Sequence, residues 1–199
     1  FDGTSTTITV EQLAGSDNIK YMKQLMNVSA ADVIQNKDAD GNLLSLTFTG
    51  NMPLGVRATG TLNVSAGGDV YVAGRKDAEG KYSAINVGTV DATQNNATGD
   101  VRLYSAQGIY NAKTADDTNI KGKNLIITGG TESIGTADKP VTVSLSGDMT
   151  EARADQNVYI KNVNNADVLR IGAMFAGDTI SLIRDKGFKM RDANTDTAK

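Results

Sequence analysis

Residues 67–74 read GGDVYVAG and residues 98–104 read TGDVRLY, and the two stretches share one pattern. Each begins with a small residue and a Gly-Asp pair, and each continues as a short run with apolar residues at alternate positions. Gly-Asp pairs followed by such runs occur at positions 68, 99, 147 and 177. Glycine adopts backbone angles that other residues avoid, and aspartate hydrogen-bonds within turns. The pattern therefore predicts a bend followed by a strand, used four times between residues 60 and 183.

The spacing of these pairs indicates a degenerate repeat. The pairs are 31, 48 and 30 residues apart, close to multiples of a unit of roughly 15–16 residues with insertions. Because the same turn and strand recur in one orientation, parallel stacking of coils is favoured over a sandwich or a barrel, which need matched hairpins. At roughly 20–25 residues per coil, the chain would form on the order of eight coils and a rod about 40 Å long.

Short apolar runs after residue 60 predict nine strands. Period-two alternation, as in Val70 and Val72 or Ile180 and Leu182, marks strands with one buried face. The predicted strands cover residues 61–64, 70–73, 84–90, 101–104, 124–128, 141–145, 158–161, 168–171 and 179–183. Many short strands with polar turns predict an all-β fold, here a right-handed parallel β-helix, or β-solenoid.

The N-terminal quarter has a different pattern. Residues 6–10 predict a strand, and residues 31–35 and 43–49 flank an Asp-Gly turn in a predicted hairpin. Ile19, Met22 and Met26 have helical spacing, so residues 18–26 predict a short helix, with a loop as the alternative. The break at residues 51–55 divides the chain into an N-terminal segment or cap with a hairpin (1–52), solenoid repeats (53–190) and a polar tail or linker (191–199).

Composition excludes several classes of function. The 199 residues include 21 Gly and 2 Pro, 5% aromatic residues, and no Trp, His or Cys. Without Cys there are no disulfides or thiolate metal sites, and without His the commonest general base is missing. A net charge of −3 gives no basic footprint for nucleic acid. No apolar run is long enough for a transmembrane helix. The chain begins at Phe1, which we interpret as a fragment or processed piece.

Three patterns suggest chemistry, and each has a plainer interpretation that we favour. Residues 36–42 resemble the start of a calcium loop, but Thr47 stands where a bidentate glutamate is needed, so a hairpin turn is expected. The aspartates of the Gly-Asp pairs would form a column of carboxylates, whereas the alternative is that each caps its own turn. Lys113, Lys121 and Lys123, beside Asp116 and Asp117, form a small basic patch or a solvated turn.

A catalytic constellation is also missing from the sequence. Sugar clefts usually offer exposed aromatic platforms, whereas the tyrosines here are scattered, at positions 71, 82, 104, 110 and 159. No paired acid cluster stands out. We therefore predict no enzyme activity, no catalytic, cofactor-binding or metal-binding residues, and no cofactor.

Residues 99–145 resemble a known family. Four phrases occur in order, namely Gly99-Asp100-Val101, residues 108–112 (GIYNA), residues 124–128 (NLIIT) and residues 133–141 (SIGTADKPV). Together they resemble the filamentous-haemagglutinin-type exoproteins of Gram-negative bacteria, especially the leukotoxin-like filamentous adhesins. The resemblance covers about residues 60–185. The irregular Gly-Asp spacing and residues 1–52 depart from the family pattern, which leaves an N-terminal insertion or separate subdomain open.

The resemblance implies a right-handed parallel β-helix that is secreted, by two-partner secretion or as an autotransporter passenger, and acts in adhesion. It implies as partners the rest of a long chain, an outer-membrane translocator and a receptor on a host or bacterial surface, with no nucleic acid. We predict a fragment of a secreted, cell-surface adhesin, a rigid rod that displays binding loops. The alternatives are a polysaccharide-active β-helix enzyme and a phage or virion fibre segment.

Overall fold

A computed structural model describes residues 5–9, 32–49, 54–56, 60–77, 79–96, 98–113, 117–164, 168–184 and 189–192. The chain divides into two compact units, residues 1–54 and residues 55–199. The helix predicted at residues 18–26 and residues 193–199 of the predicted tail lie outside the described residues. The tail was predicted to start at residue 191, but Arg191 and Asp192 belong to the last strand. Within the described part the fold is all-β, with a single 3-10 turn at Gln94–Asn96.

The first unit contains a three-stranded antiparallel sheet. Its strands are β1 (Ser5–Thr9), β2 (Asp32–Lys37) and β3 (Leu43–Thr49), in the order β1-β3-β2. β2 and β3 form the predicted hairpin, whose tip holds Gly41 at φ +84°. A positive φ is costly for any residue with a Cβ, which explains glycine at this turn.

The second unit is a β-solenoid of about five turns built from two parallel sheets. The first sheet contains β5 (Thr61–Ser65), β7 (Ile85–Asp91), β9 (Ile109–Asn111), β10 (Ile120–Gly122), β12 (Val141–Leu145), β14 (Val158–Asn162) and β16 (Ile180–Arg184). The second contains β4 (Leu54–Val56), β6 (Val70–Gly74), β8 (Val101–Tyr104), β11 (Leu125–Thr128), β13 (Met149–Arg153), β15 (Val168–Phe175) and β17 (Lys189–Asp192). From β5 onward every pairing among the described strands is parallel.

Each lap of the solenoid is longer than the sequence repeat suggested. Successive laps of the first sheet begin at residues 61, 85, 109, 134, 158 and 180, which are 24, 24, 25, 24 and 22 residues apart. The unit of 15–16 residues is therefore wrong, and the predicted coil length of 20–25 residues is right. The count of eight coils is too high because the antiparallel sheet takes up the N-terminal residues. Five turns at about 4.8 Å each give a rod of roughly 24 Å.

Aliphatic columns fill the space between the two sheets. In the first sheet Ile85, Ile109, Ile134, Val158 and Ile180 lie directly over one another, one in each lap. In the second sheet a matching column contains Val70, Val101, Leu125, Met149 and Ile171. Because neighbouring rungs stack, branched aliphatic side chains fill this narrow core without large aromatics.

The turns between strands stack as closely as the strands. A Cβ added to Gly99 would lie 2.3 Å from the backbone carbon and oxygen of Gly68, its counterpart in the previous lap. Backbone atoms cannot move aside as a side-chain tip can, so only glycine fits this corner. This contact explains why Gly-Asp pairs recur at the turn before the second sheet.

The nine predicted strands after residue 60 all occur, with ends that differ by a few residues. Three further strands were not predicted, namely β9, β10 and β17, and β13 was predicted only by the Gly-Asp pair at residues 147–148 and not by its apolar pattern. β9 and β10 have three residues each, too few for an alternation pattern. β13 reads MTEAR, where polar residues outnumber the apolar ones.

Candidate binding surface

Three of the four Gly-Asp aspartates form a column at one corner of the solenoid. Asp69 Oδ1 accepts the backbone N–H of Asp100 at 2.8 Å. Asp100 Oδ1 accepts the side-chain amide of Asn124 at 2.9 Å, and Asn124 Oδ1 accepts the backbone N–H of Asp148 at 2.9 Å. Asp178 lies in the other turn of the lap, before β16. The sequence suggested a column of four aspartates. In the structure Asn124 takes the place of an aspartate in one lap, and Asp178 is not part of the column.

The carboxylates of Asp69 and Asp100 accept hydrogen bonds from the next lap, so the plainer interpretation, that each aspartate caps its own turn, is wrong for these two residues. Parallel stacking places the next lap about 4.8 Å away, which is within reach of a side chain at the corner. The second oxygen of Asp69 accepts the Tyr71 hydroxyl at 2.9 Å. Among the described residues no cluster of three or more acidic groups is arranged to hold a metal ion. The column therefore ties consecutive laps together.

Four of the five tyrosines named above belong to two different sheets, and Tyr82 lies in the connection before β7. Tyr71 and Tyr104 belong to the second sheet and are buried, and burial raises the pKa of each phenol to about 12. Tyr110 and Tyr159 belong to the first sheet and are half-buried. The Tyr110 hydroxyl donates to Glu132 at 2.9 Å, and burial together with this bond raises the pKa of Tyr110. This arrangement does not form a single exposed aromatic platform for a sugar.

The calcium-like sequence at residues 36–42 forms a hairpin tip. Asp38 Oδ1 accepts the backbone N–H groups of Asp40 and Asn42, and Asp38 Oδ2 accepts the Asn42 side chain. Donation from Asn42 lowers the pKa of Asp38. Asn36 donates to Ser45 Oγ at 2.9 Å. These oxygens serve the turn, as expected for a hairpin.

The same turn occurs a second time at residues 77–81, between β6 and β7. Asp77 Oδ1 accepts the backbone N–H groups of Glu79 and Lys81, and Gly80 has φ +76°. The Lys76 ammonium lies 5.3 Å from the centre of the Tyr82 ring across this turn. This polar excursion is therefore an ordered hairpin tip, with Glu79 and Lys81 exposed.

Two further excursions leave the first sheet at the same position in successive laps. β7 crosses the first sheet as one strand, and its two halves pair with β9 and β10 of the next lap. Residues 112–119 connect β9 to β10, and residues 135–140 connect Ile134 to β12 in the following lap. In the lap after that, β14 is continuous again. We call these two excursions the two-loop surface.

Buried asparagines tie the bases of the two loops together. The Asn111 side chain donates to Pro140 O at 2.9 Å. The Asn119 side chain donates to Asn111 Oδ1 and to Val87 O, both at 2.9 Å, while its Oδ1 accepts the N–H of Thr142 at 2.9 Å. Asn119 is fully buried and Asn111 nearly so. A buried amide whose hydrogen-bonding groups all have partners is costly to disturb. The residues at the bases of both loops are therefore held in fixed positions.

The described outer residues of the two loops are exposed and carry charges of both signs. Thr136, Ala137, Asp138 and Lys139 are all exposed, and so is Asp117. Gly135 has φ +67°, and an added Cβ would lie 2.5 Å from Tyr159 O, so the second loop departs through a site that requires glycine. A rigid base with exposed, mixed-charge tips is typical of binding loops carried on a scaffold.

The predicted basic patch is divided among separate interactions. Lys113 Nζ donates to Thr118 O at 2.6 Å and braces the first loop. Lys121 Nζ lies 3.8 Å from Asp91 Oδ2, and Lys123 is exposed in the turn before β11. Asp116 lies outside the described residues. The plainer interpretation, a solvated turn, describes Lys123 best.

The loop bases were not predicted from the sequence. Asn111 and Asn119 lie next to short strands, and asparagine is equally common in exposed turns. Their only sequence signal is their closeness to two isolated isoleucines in a polar stretch: Asn111 follows Ile109 by two residues, and Asn119 directly precedes Ile120.

Comparison with protein-family models, with curated proteins and with solved structures gave no match. Across the part of the chain that the structure describes, no helix has the length and apolar character needed to cross a bilayer.

Proposed function

We propose that this chain is a segment of a secreted, filamentous-haemagglutinin-type adhesin on the surface of a Gram-negative bacterium. In this proposal the solenoid is a rigid rod, and the two-loop surface carries the contacts that attach it to another surface. The observation that supports it best is that two loops leave the same position in successive laps and share a base of buried asparagines. This geometry holds two exposed loops side by side at a fixed spacing, as a bipartite binding site requires.

The chemistry of the described residues supports attachment rather than catalysis. At the Gly-Asp corner the carboxylates of Asp69 and Asp100 accept hydrogen bonds from the neighbouring lap, and Asp69 also accepts one from Tyr71. A catalytic acid needs a free proton site facing substrate. The exposed loop residues, by contrast, are free to contact a partner, and their mixed charge suits a polar, hydrated surface.

The solenoid also supports the proposed secretion route. Each lap can fold onto the one before it, so the energy of stacking would drive folding outside the cell without ATP. The partners are then the remaining laps of a longer chain, an outer-membrane translocator and a surface receptor. An open reading frame with a secretion domain upstream, or a translocator barrel downstream, would support this assignment. Residues 1–52 are proposed as a cap, and unchanged solubility and melting after their deletion would count against that role.

The test of adhesion compares two charge-matched double variants. Asp138→Ser with Lys139→Ser alters the second loop, and Glu79→Ser with Lys81→Ser alters the unrelated hairpin tip. All four side chains are exposed, so both variants should melt like the wild-type chain. Beads coated with each protein are applied to epithelial and bacterial cells. We expect the loop variant to bind about tenfold more weakly, a loss of about 1.4 kcal/mol, and the hairpin variant to bind normally.

Equal loss in both variants, or no binding by the wild-type chain to any cell or glycan panel, would overturn the proposal. Release of sugar from acidic glycans would favour the polysaccharide-active enzyme instead. An intertwined trimer by light scattering would favour the fibre.

A further inference from the structure

A third excursion leaves the solenoid at the Gly-Asp corner, between β7 and β8. Residues 66–69 and 123–124 form this corner in the laps before and after, whereas the lap of β7 uses residues 92–100. The N–H of Gly99 donates to Ala92 O at 2.9 Å and closes the neck of the excursion. The extra residues therefore project from a fixed base, at a different position in the lap from the two-loop surface.

The tip of this excursion presents two polar side chains to solvent. Asn95 and Asn96 have φ of +56° and +61°, a conformation that asparagine adopts more readily than most residues with a Cβ. Asn96 and Thr98 are both exposed. Among the residues that the structure describes, neither the Asn96 amide nor the Thr98 hydroxyl has a hydrogen-bond partner. Both groups are therefore available to another molecule.

The sequence at this tip is a recognisable modification pattern. Asn96-Ala97-Thr98 is an Asn-x-Thr sequence, the pattern that accepts N-linked sugars in surface loops of secreted proteins. Two more Asn-x-Ser sequences occur, at residues 27–29 and 63–65, and the first of them lies outside the described residues. The pattern alone does not separate Asn96 from Asn63, so the distinction depends on their surroundings.

Asn63 is exposed as well, but its side chain is held by the neighbouring lap. Its Oδ1 accepts the N–H of Thr89 at 3.0 Å, and a Cβ added to Gly88 would collide with the same oxygen. The backbone of residues 61–65 pairs with β7 along its length. A transferase would have to break these contacts to reach the Asn63 amide, whereas the Asn96 amide is already free.

We propose that Asn96 is the acceptor of an N-linked sugar. The donor is a sugar whose C1 is linked to a diphosphate, carried by a nucleoside or by a lipid. Asn96 Nδ2 attacks C1, the bond between C1 and the diphosphate oxygen breaks, the diphosphate leaves, and a base of the transferase takes the amide proton. The Thr98 hydroxyl lies on the same tip, where the transferase binds it together with the amide. This inference goes beyond the proposed function and does not depend on adhesion.

The first experiment is peptide mapping by mass spectrometry of the chain purified from the cells that produce it. We expect the peptide that contains Asn96 to carry a sugar and the peptide that contains Asn63 to carry none. Addition of a single hexose would identify a nucleoside diphosphate sugar as the donor, whereas a whole oligosaccharide would identify a lipid-linked donor. An unmodified Asn96 peptide would refute the proposal.

A second experiment measures acceptance of a sugar by the folded chain in solution. The full chain, with Asn27→Gln as background, is incubated with a purified N-glycosyltransferase and uridine diphosphate glucose. We expect one glucose per chain, lost in Asn96→Gln and in Thr98→Ala and kept in Asn95→Gln. These three changes at the tip replace exposed side chains, so the variants should melt like the parent chain.

Ser65→Thr provides the matched control, because it gives Asn63 the same Asn-x-Thr pattern as Asn96. Asn63 should stay unmodified in the folded Ser65→Thr chain, whereas a peptide of residues 60–68 with the same change should accept glucose. Modification of Asn63 as fast as Asn96 in the folded chain, or glucose on Asn96 despite Thr98→Ala, would contradict the proposal. Neither result would alter adhesion through the two-loop surface, so this proposal and the proposed function fail separately.

Discussion

Replacing Ile134 by alanine tests whether the aliphatic column holds the solenoid together. Ile134 is fully buried and lies between Ile109 of one lap and Val158 of the next. Ile134 is tightly packed, since a Cβ added to Gly129 would lie 2.8 Å from Ile134 Cγ1. A cavity made here cannot collapse easily, because the backbone ladders of both neighbouring laps hold their spacing.

The expected loss follows from the size of the deletion. Ile134→Ala removes three carbons, worth about 0.8 kcal/mol each, or about 2.4 kcal/mol of transfer free energy. The cavity adds to this, giving a total of about 3–4 kcal/mol, within the range of roughly 2–5 kcal/mol for such changes in protein cores. For a unit of this size the melting temperature should fall by roughly 6–16 °C.

Urea unfolding monitored by far-ultraviolet circular dichroism measures this loss, with thermal melting as a second observable. Ile134→Val should cost only about 0.5–1.5 kcal/mol. Ile183→Ala, on the outer face of β16, should change stability by less than about 0.5 kcal/mol. A loss below about 1 kcal/mol for Ile134→Ala, or an equal loss for Ile183→Ala, would refute the reasoning that stacked columns stabilise the fold.

Three further changes test the corners. Gly99→Ala should cost about 1–3 kcal/mol by thermal melting, because its Cβ would meet the neighbouring backbone, whereas Gly60→Ala, in open space, should melt normally. Asn124→Asp removes a donor and places like charges on adjacent laps, so its destabilisation relative to the wild type should shrink from pH 7 to pH 3; a constant difference would contradict this. Bonds from the hydroxyl and N–H of Thr93 lower the pKa of Asp91. The stabilisation from these bonds is complete above the pKa that Asp91 has in the unfolded chain, and it is lost as pH falls through the lower pKa of the folded chain. The free energy of unfolding of Asp91→Asn should therefore fall less at acidic pH than that of the wild-type chain.

The sequence determined the class of the fold because its signals are local. Val70 and Val72, like Val101 and Leu103, stand at alternate positions, and this period predicts a strand without knowledge of its partners. The prediction of a single buried face is wrong for β6, because all five of its residues are buried. Each Gly-Asp turn is followed by a strand in the same orientation. This favoured parallel stacking, because hairpins need strands that alternate in direction. The coil length also followed from general dimensions of such folds.

Only the tertiary structure decided the true lap, the corner column and the loop bases. The Gly-Asp spacing misled because Asn124 replaces an aspartate in one lap and Asp178 belongs to the other turn. The buried role of Asn119 depends on Val87, 32 residues away. These features arise from contacts between laps, where the partner of each residue is set by the accumulated length of all excursions between them. A local pattern predicts a strand, whereas the register between two neighbouring laps depends on the complete fold.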